Sequence, residues 1–390
     1  MPIISFGQDP LKACRNIADL RELAQKRVPA PMFHYIDGAA EDEWTLRHST
    51  AAFDGWNLVP RTLVDVSQLD TTTTVLGQQL ALPILCAPTG MSRLFHYQGE
   101  LAVARAAKEA GVLYSLSTMG STSIEDVAAV SDGPKMYQIY VLKDRELCRE
   151  FIARCKASGY TSLCLTVDVP VPGNRERDLR TGMTIPPQIT LRSAFDVARH
   201  PRWLWRYLTS PRLVLANVVH KIAQGSRDVS TLAAYIHNQF DRTVTWDDAA
   251  WMAREWGGPF LVKGILSAGD ARRAVDAGAT AVAVSNHGGR QLDGTPAPID
   301  VLPEIVEAVG DRADVILDGG IRRGVHVLKA LALGAKACMI GRAYLYGLGA
   351  GGQAGVARAL EILRTELERD MALLGTRSLA EITPERIRRR

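Results

Sequence analysis

The stretch AGDARRAVDAGATAVAVSNHGGRQLDG, residues 268–294, contains one full unit of a repeating pattern. Residues 268–279 have the spacing of an amphipathic helix that is closed by glycine, as a helix C-cap is. Residues 279–284 are small and β-branched, which is typical of a buried strand, and the glycines that follow end any regular element. His287 and Arg290 therefore lie just past the C-terminal end of a strand. In α/β architectures ligands bind at that edge, because loops there present polar groups over a rigid core.

The same alternation runs from about residue 80 to residue 341. The apolar runs that we interpret as strands lie at residues 82–86, 112–117, 136–140, 162–168, 259–264, 280–285, 314–320 and 337–341. Helical patterns lie between most of them. Eight strand-and-helix units in one continuous region favour an α/β fold, a closed (β/α)8 TIM barrel. An open doubly wound sheet remains the alternative, because periodicity alone does not close a barrel.

Two regions depart from this alternation. Residues 1–80 are predicted to form a helical N-terminal extension, and residues 171–245 separate the fourth and fifth strands by more than one crossover helix requires. We interpret the second region as an insertion on the active face, which in a compact domain is typical of a lid, a binding element or a disordered segment. The prediction is a single domain over residues 1–390, with the barrel beginning at residue 81.

The composition excludes several classes of protein. With 390 residues, 47% hydrophobic and 23% charged, the chain is globular, and a net charge of +4 is too small to indicate a nucleic-acid partner. No apolar run reaches 18 residues and the first residues lack the pattern of a signal peptide, so a cytoplasmic location is expected. The six cysteines show no CxxC spacing and no cluster with histidine. They are predicted to be buried, reduced thiols, and no metal site is predicted.

Polar residues occur where the predicted strands end. They are Gln138, Tyr140, Thr166, Asp168, Lys263, Ser285, His287, Asp318, Gly341 and Arg342. In a barrel all of them would face one mouth. After the last two strands, DGGIRRG (318–324) and IGRA (340–343) combine glycines, backbone amides and arginines, which favours a phosphate site over a simple strand-to-helix turn.

His287 taken alone could be an ordinary core or turn histidine. Its surroundings favour a catalytic base, because Asp168 at the end of another strand could orient the imidazole. Arg175 and Arg290 would supply two planar groups for a carboxylate. Lys263 follows an apolar run and should be buried against an anion. These residues indicate an acid substrate that is deprotonated by histidine.

The stretch GLGAGG, residues 347–352, matches a dinucleotide-binding fingerprint in its letters only. It does not follow a strand, and too little chain remains for the βαβ unit that the fingerprint requires. We interpret it as a flexible turn before the last helices.

From about residue 15 to 387 the chain resembles the FMN-dependent L-2-hydroxy acid dehydrogenases and oxidases, among them glycolate oxidase, the cytochrome- or quinone-linked L-lactate dehydrogenases and mandelate dehydrogenase. The segments that carry the resemblance are HYIDGAAEDEWTL, APTGMSRL, LSTMGSTSIEDVA, QIYVLKDR, LTVDVPVPGNRERDLR, LVKGI, SNHGGRQLDG, LDGGIRRG, KALALGA and IGRAYLYGL. SNHGGRQLD is the most specific of them.

The resemblance implies a role for each matching residue. His287 would be the catalytic base with Asp168 as its carboxylate partner, and Arg175 and Arg290 would hold the substrate carboxylate. Tyr35 and Tyr140 would line the substrate site, with Tyr140 taking part in catalysis. The residues implied for FMN are Pro88, Thr89, Gly90, Ser117, Gln138, Thr166, Lys263 and Ser285, and those implied for its phosphate are Asp318, Gly319, Gly320, Arg322, Gly341 and Arg342.

The implied reaction converts a 2-hydroxy acid to a 2-oxo acid, either by hydride transfer to the flavin or through a carbanion, with Lys263 stabilising the reduced flavin. Gly90 and Met119 depart from the glycolate oxidase pattern, so L-lactate or a larger hydroxy acid is favoured over glycolate. The electron acceptor is expected to be a quinone, a cytochrome or O2, and the oligomer a homotetramer. Residues 192–227 mix Arg and Lys with Trp203, Trp205 and Tyr207, which fits either a peripheral membrane contact on the inner face of the cell membrane or a packed lid.

Three other functions remain to be separated from this one. A barrel dehydrogenase of purine nucleotides needs a nucleophilic cysteine in a mouth loop, and none occurs between Cys164 and Cys338. A peptide-modifying flavoenzyme of the same family shares the barrel and a similar insertion, but His287 together with Arg290 favours a free hydroxy acid. A non-catalytic barrel should have lost charged site residues, and this chain retains them.

Overall fold

The computed structural model describes residues 9–183, 191–221 and 238–390. The strands in these ranges are β1 (Trp56–Leu58), β2 (Thr73–Val75), β3 (Gln78–Leu80), β4 (Ile84–Thr89), β5 (Leu113–Ser117), β6 (Lys135–Ile139), β7 (Ser162–Thr166), β8 (Phe260–Ile265), β9 (Ala281–Ser285), β10 (Asp314–Asp318), β11 (Ala337–Ile340) and β12 (Ile387–Arg389). The α-helices are α1 (Pro10–Ala13), α2 (Ile17–Arg27), α3 (Ala30–Asp37), α4 (Trp44–Ala51), α5 (Gly99–Ala110), α6 (Ile124–Val130), α7 (Arg145–Ala157), α8 (Glu176–Arg180), α9 (Leu191–Ala198), α10 (Pro201–Thr209), α11 (Trp246–Trp256), α12 (Ala268–Asp276), α13 (Pro298–Val309), α14 (Gly324–Ala332) and α15 (Arg342–Leu374).

Strands β4 to β11 form a closed barrel of eight parallel strands. Each strand pairs with the next in the chain, and β11 pairs with β4 to complete the circle. The closure confirms the predicted TIM barrel and excludes the open sheet.

The helix-to-strand unit predicted at residues 268–285 forms α12 and β9. The Ser267 side chain accepts a hydrogen bond from the Asp270 backbone N–H at 3.2 Å, which caps the helix start. Gly278 ends the helix with a φ of +100°, a conformation that favours glycine. Local sequence therefore fixes both ends of α12.

The side chains of the barrel strands alternate between the barrel interior and the surrounding helices. On β9, Ala281 and Ala283 belong to the interior cluster, whereas Val282 and Val284 pack outward. The period of two places Ser285 inward at the C-terminal end of the strand. On β8, Leu261 is interior and the same period places Lys263 inward. Polar inward positions are thus collected at one end of the barrel.

The described part of the N-terminal extension is helical up to residue 51, and the short strands β1 to β3 follow the helices. Strands β2 and β3 form an antiparallel hairpin whose Val75, Leu76 and Leu80 join the interior cluster. The Leu76 backbone N–H donates to the Asp314 carboxylate at 2.9 Å, at the start of β10. The hairpin closes the end of the barrel opposite the site, and its three apolar residues cover the barrel core there.

Asp37 joins three distant segments around the mouth of the barrel. It accepts two hydrogen bonds from Arg21 at 2.6 and 2.8 Å, one from Arg177 at 2.8 Å and one from the Tyr346 hydroxyl at 2.7 Å. Burial would raise the pKa of Asp37, but these donors hold it below its ordinary value. The network fixes the position of α3, which carries Tyr35.

The insertion between β7 and β8 is partly described, since residues 184–190 and 222–237 of the predicted 171–245 segment lie outside the described ranges. The Trp203 indole N–H donates to the Leu94 carbonyl at 3.0 Å, and Leu215 and Val218 are buried. In contrast, Trp205 and Leu208 are 67% and 68% exposed. One face of the insertion therefore packs on the barrel while another faces outward.

The prediction of a turn at residues 347–352 is correct only at its end. Residues up to Ala350 continue α15, and the helix breaks at Gly351 and Gly352, whose backbone angles are not helical. All six cysteines are free and buried, as predicted. Within the described ranges, every helix is too short or too polar to cross a bilayer.

Candidate active site

The last inward-facing residues of the barrel strands form a buried polar layer. They are Ser117, Gln138, Thr166, Lys263, Ser285 and Asp318. Strand register places neighbours side by side, with Ser117 opposite Gln138, Thr166 opposite Lys263, and Ser285 opposite Asp318. The sequence prediction that these side chains face one mouth agrees with this arrangement.

Lys263 is a buried cation with one close carboxylate. Its Nζ lies 2.8 Å from Asp318 and donates to the Ser285 hydroxyl at 3.0 Å, and that hydroxyl donates to Asp318 at 2.7 Å. Burial would lower the pKa of Lys263, but Asp318 and the nearby Asp168 raise it above its ordinary value. The ammonium group therefore stays charged at the floor of the site.

Gln138 carries an unused hydrogen-bond donor. Its Oε1 accepts from the Ser117 hydroxyl at 3.0 Å, which points its amide nitrogen away from that partner. Within the described part of the chain, this buried Nε2 has no hydrogen-bond partner. Because an unpaired buried N–H is costly, its presence indicates a bound group with an acceptor atom.

The end of β4 and the residue after it border the same layer. Pro88, Thr89 and Gly90 are half-buried, and the Thr89 hydroxyl lies 2.6 Å from the Tyr344 hydroxyl. A Cβ on Gly90 would lie only 2.7 Å from the Cβ of Met119. The absence of a side chain at residue 90 thus allows the loops after β4 and β5 to meet.

His287 and Asp168 form a pair at the mouth. Their Nδ1 and Oδ1 atoms are 2.9 Å apart, and the His287 side chain remains 25% exposed. Burial would raise the pKa of Asp168, but the charge and hydrogen bond of His287, with Lys263, hold it below its ordinary value. Since Asp168 occupies Nδ1, Nε2 is the nitrogen available for proton transfer. His287 also has a φ of +55°, an uncommon conformation outside glycine that is typical of functional sites.

Arg175 and Arg290 meet at the ring of Tyr35. Their guanidinium carbons lie 5.4 and 4.9 Å from the ring centre. Arg290 donates to the Tyr35 and Gly38 carbonyls at 2.7 and 3.1 Å, and burial, together with Arg175, lowers its pKa. Two neighbouring guanidinium groups in a partly buried pocket favour a bound anion.

Two wall residues were missed by the sequence reasoning. Asp178 is buried, lies 3.6 Å from the Arg175 Nε, and has one oxygen without a hydrogen-bond partner in the described residues. Burial raises its pKa. Asp178 lies on α8, three residues after Arg175, and this spacing was the sequence signal that could have identified it. Phe240, from the insertion, packs edge-on against Tyr140 with ring centres 4.9 Å apart, and no local pattern indicated it.

The glycine-rich corner lies after β10 and β11. Gly320 has a φ of +75°, and a Cβ there would overlap the Ser49 carbonyl, so the loop of Asp318 to Arg322 needs glycine at this position. Gly341 precedes the start of α15. The three guanidinium nitrogens of Arg342 donate to the carbonyls of Ile36, Gly38 and Gly288 at 2.7 to 3.0 Å, which fixes the side chain at this corner. Two of its five N–H groups remain for the predicted phosphate contact.

Comparison with known proteins identifies the family. A family model described as FMN-dependent dehydrogenase matches residues 24–389. The chain belongs to this family. It is therefore an FMN-dependent oxidoreductase that acts on 2-hydroxy acids. The site fits that cofactor. The polar layer offers the unused Gln138 donor and the Lys263 charge, and the glycine-rich corner after β10 and β11 offers backbone amides.

Individual relatives agree with this class. The chain is 44% identical over 387 residues to a putative L-lactate dehydrogenase of Mycobacterium tuberculosis, covering 99% of this chain and 92% of the relative. It is 44% identical over 371 residues to an L-lactate oxidase of a Nostoc species, covering 94% and 96%. A crystal structure of (S)-mandelate dehydrogenase, described as a monotopic membrane protein, superposes with a TM-score of 0.93 at 38% identity, covering 97% of this chain and all of that one.

Proposed function

We propose that this protein oxidises an L-2-hydroxy acid, L-lactate or one with a larger side chain, to the 2-oxo acid, with His287 as the base. The observation that carries the proposal is the 2.9 Å contact between His287 and Asp168, beside the two arginines at Tyr35. His287 Nε2 takes one proton from the substrate, and Asp168 stabilises the imidazolium that forms.

Arg175 and Arg290 hold the substrate carboxylate, and Tyr35 and Tyr140 line the pocket. Asp178 offsets part of the positive charge of the arginine pair, so that a single carboxylate brings the cluster close to neutrality. This balance would disfavour dicarboxylates, because a second negative charge would lie near Asp178.

FMN would be held by the polar layer, the segment from Pro88 to Gly90 and the glycine corner, and when bound it would accept the two electrons and the second proton that leave the substrate. Lys263 supplies a fixed positive charge on the floor of the site, where negative charge develops on reduction. Gln138 would donate its free amide N–H to a cofactor acceptor atom. The backbone at Gly319, Gly320 and Gly341, with the Arg322 side chain, would hold the phosphate.

The Met119 side chain supports a substrate larger than glycolate. The space beside Gly90 is taken by Met119, since a Cβ on Gly90 would lie 2.7 Å from the Met119 Cβ. The unbranched Met119 side chain is only half-buried, so it can move to admit a methyl or larger group at C2.

The decisive experiment mixes the FMN-loaded protein anaerobically with a panel of L- and D-2-hydroxy acids and follows flavin absorbance. We expect bleaching by L-lactate or a larger L-acid, no bleaching by the D-acids, and a reduction rate about 100- to 10,000-fold lower in His287→Ala with FMN still bound. Reduction of the variant at the wild-type rate would remove His287 from the mechanism.

We also propose that the insertion contacts a membrane surface, where a quinone could take electrons from the reduced enzyme. The support is its outward face, where Phe195, Trp205 and Leu208 are 66 to 68% exposed beside basic residues.

Trp205→Ser/Leu208→Ser should lose sedimentation with vesicles that contain an anionic lipid and lose activity with a quinone analogue, while ferricyanide activity persists. The matched control is Leu63→Ser/Leu373→Ser, which removes two exposed leucines elsewhere. If Trp205→Ser/Leu208→Ser still sediments with the vesicles, the membrane proposal is wrong and the insertion is a packed lid.

A further inference from the structure

A second basic cavity lies outside the candidate active site. It has a volume of about 550 Å³ and is enclosed by α10, the end of α2, the loop after β4 and the break in α15. None of its lining residues belongs to the proposed FMN or substrate sites. The cations that line it are Lys26, Arg27, Arg93, Arg199, Arg202 and Arg206.

Among the residues that the structure describes, no carboxylate pairs with these cations. Aspartate and glutamate are absent from the cavity lining, and within residues 9–183, 191–221 and 238–390 none of the six cations makes an ion pair. Arg93 is half-buried and the other five cations are exposed, so solvent screens much of their mutual repulsion. The excess of positive charge around one cavity still favours an anion with more than one negative charge.

Several of the cations are held in place by neutral groups. Arg93 donates to the Tyr97 and Arg212 carbonyls at 3.3 Å, and Arg27 donates to the Ala350 carbonyl. Arg206 lies over the Tyr97 ring at 5.0 Å. Carbonyls and aromatic rings orient a guanidinium group without neutralising it, so the cavity is arranged for a ligand yet keeps its charge.

Part of the remaining wall is aromatic. Trp203 and Tyr207 stack with ring centres 5.0 Å apart, and the Trp203 indole is fixed to the Leu94 carbonyl. Phe95 lines the cavity and stacks on Tyr35 at 6.1 Å. The cavity therefore offers an apolar surface for the organic part of a ligand, and the stacked rings of Phe95 and Tyr35 lie between it and the arginine pair.

We propose that this cavity binds a phosphate ester, through its arginines and Lys26, with the organic part against Trp203 and Tyr207. Phosphate suits the site better than a carboxylate, because it can accept from several guanidinium groups at once. The phosphate could belong to a soluble ester or to the headgroup of an anionic phospholipid, which present the same chemistry. The inference depends neither on the hydroxy acid reaction nor on the exposed residues Trp205 and Leu208.

The test uses the FMN-loaded protein, so that the cofactor phosphate site is filled. Calorimetric titration with glycerol phosphate and with inorganic pyrophosphate is compared with sedimentation on vesicles of phosphatidylglycerol and phosphatidylcholine. Lys26→Gln/Arg206→Gln removes one charge from each of two facing walls. Lys12→Gln/Arg272→Gln removes the same net charge from exposed positions elsewhere. Flavin absorbance and turnover confirm that both variants are folded.

We expect the cavity variant to weaken binding by about tenfold or more, the factor for one lost charge-assisted hydrogen bond, with the control near wild type. If the cavity variant loses calorimetric binding of glycerol phosphate or pyrophosphate, a soluble phosphate is a sufficient ligand. If it loses only the sedimentation with vesicles, the ligand is the lipid headgroup. Equal weakening in both variants, unchanged binding in the cavity variant, or no binding by the wild-type protein in either arm would overturn the proposal.

Discussion

Replacing Asp168 with asparagine tests the proposed proton transfer most directly. The substitution keeps the shape of the side chain but removes the charge that lies 2.9 Å from His287 Nδ1. Unit charges this close interact by about 6 kcal/mol at an effective dielectric constant near 20, which is an upper bound because His287 is partly exposed. A hydrogen bond to a charged group contributes about 1.5 to 3 kcal/mol to stability. The smaller estimate applies here, and it corresponds to a loss of about 10- to 150-fold in the rate of flavin reduction.

The assay is anaerobic stopped-flow reduction of the FMN-loaded Asp168→Asn protein by a bleaching substrate from the panel. FMN content and substrate affinity should stay close to wild type, because the arginine pair and the polar layer are unchanged. Asp300→Asn is the matched control, since Asp300 also faces a histidine, His48 at 3.8 Å, away from the polar layer. If Asp168→Asn reduces flavin within about twofold of the wild-type rate, the stabilisation argued here does not exist.

Three further predictions follow from the geometry. Arg290→Lys should weaken substrate binding about tenfold or more without loss of FMN, because an ammonium group cannot replace the guanidinium fork; an unchanged substrate Kd would contradict the role. Gly320→Ala should weaken FMN binding, measured by flavin fluorescence, because its Cβ would overlap the Ser49 carbonyl; Gly77→Ala, with a similar φ of +72° and no atom within 4 Å, should bind FMN normally. Asp37→Asn should lower the free energy of unfolding by about 2 to 3 kcal/mol at pH 7, since it breaks a largely buried ion-pair network. The native pKa of Asp37 lies below its ordinary value, so its charge stabilises the folded state at neutral pH. Denaturant titrations should show the full difference in unfolding free energy between wild type and Asp37→Asn above about pH 5, and a smaller difference as the pH falls below about 4. A difference that does not change with pH would show that the charge of Asp37 is not the cause.

The sequence alone determined the barrel and most of the site, because those features depend on local periodicity. Alternation along β9 places Ser285 inward whichever strands lie beside it, and the glycines after β10 mark a loop that needs their conformation. His287 and Asp168 both follow strand ends, so any closed parallel barrel brings them to the same mouth.

Tertiary structure alone decided which distant segments complete the site. Tyr35 comes from α3 and lies 255 residues from Arg290, whose side chain bonds its carbonyl. Phe240 reaches Tyr140 from the insertion, and Leu76 closes the far end of the barrel. The same holds for the basic cavity, whose cations come from three separate parts of the chain: the end of α2, the loop after β4, and residues 199–206 of the insertion. Such contacts depend on how the long extension and insertion pack on the barrel, and residue periodicity carries no information about that packing.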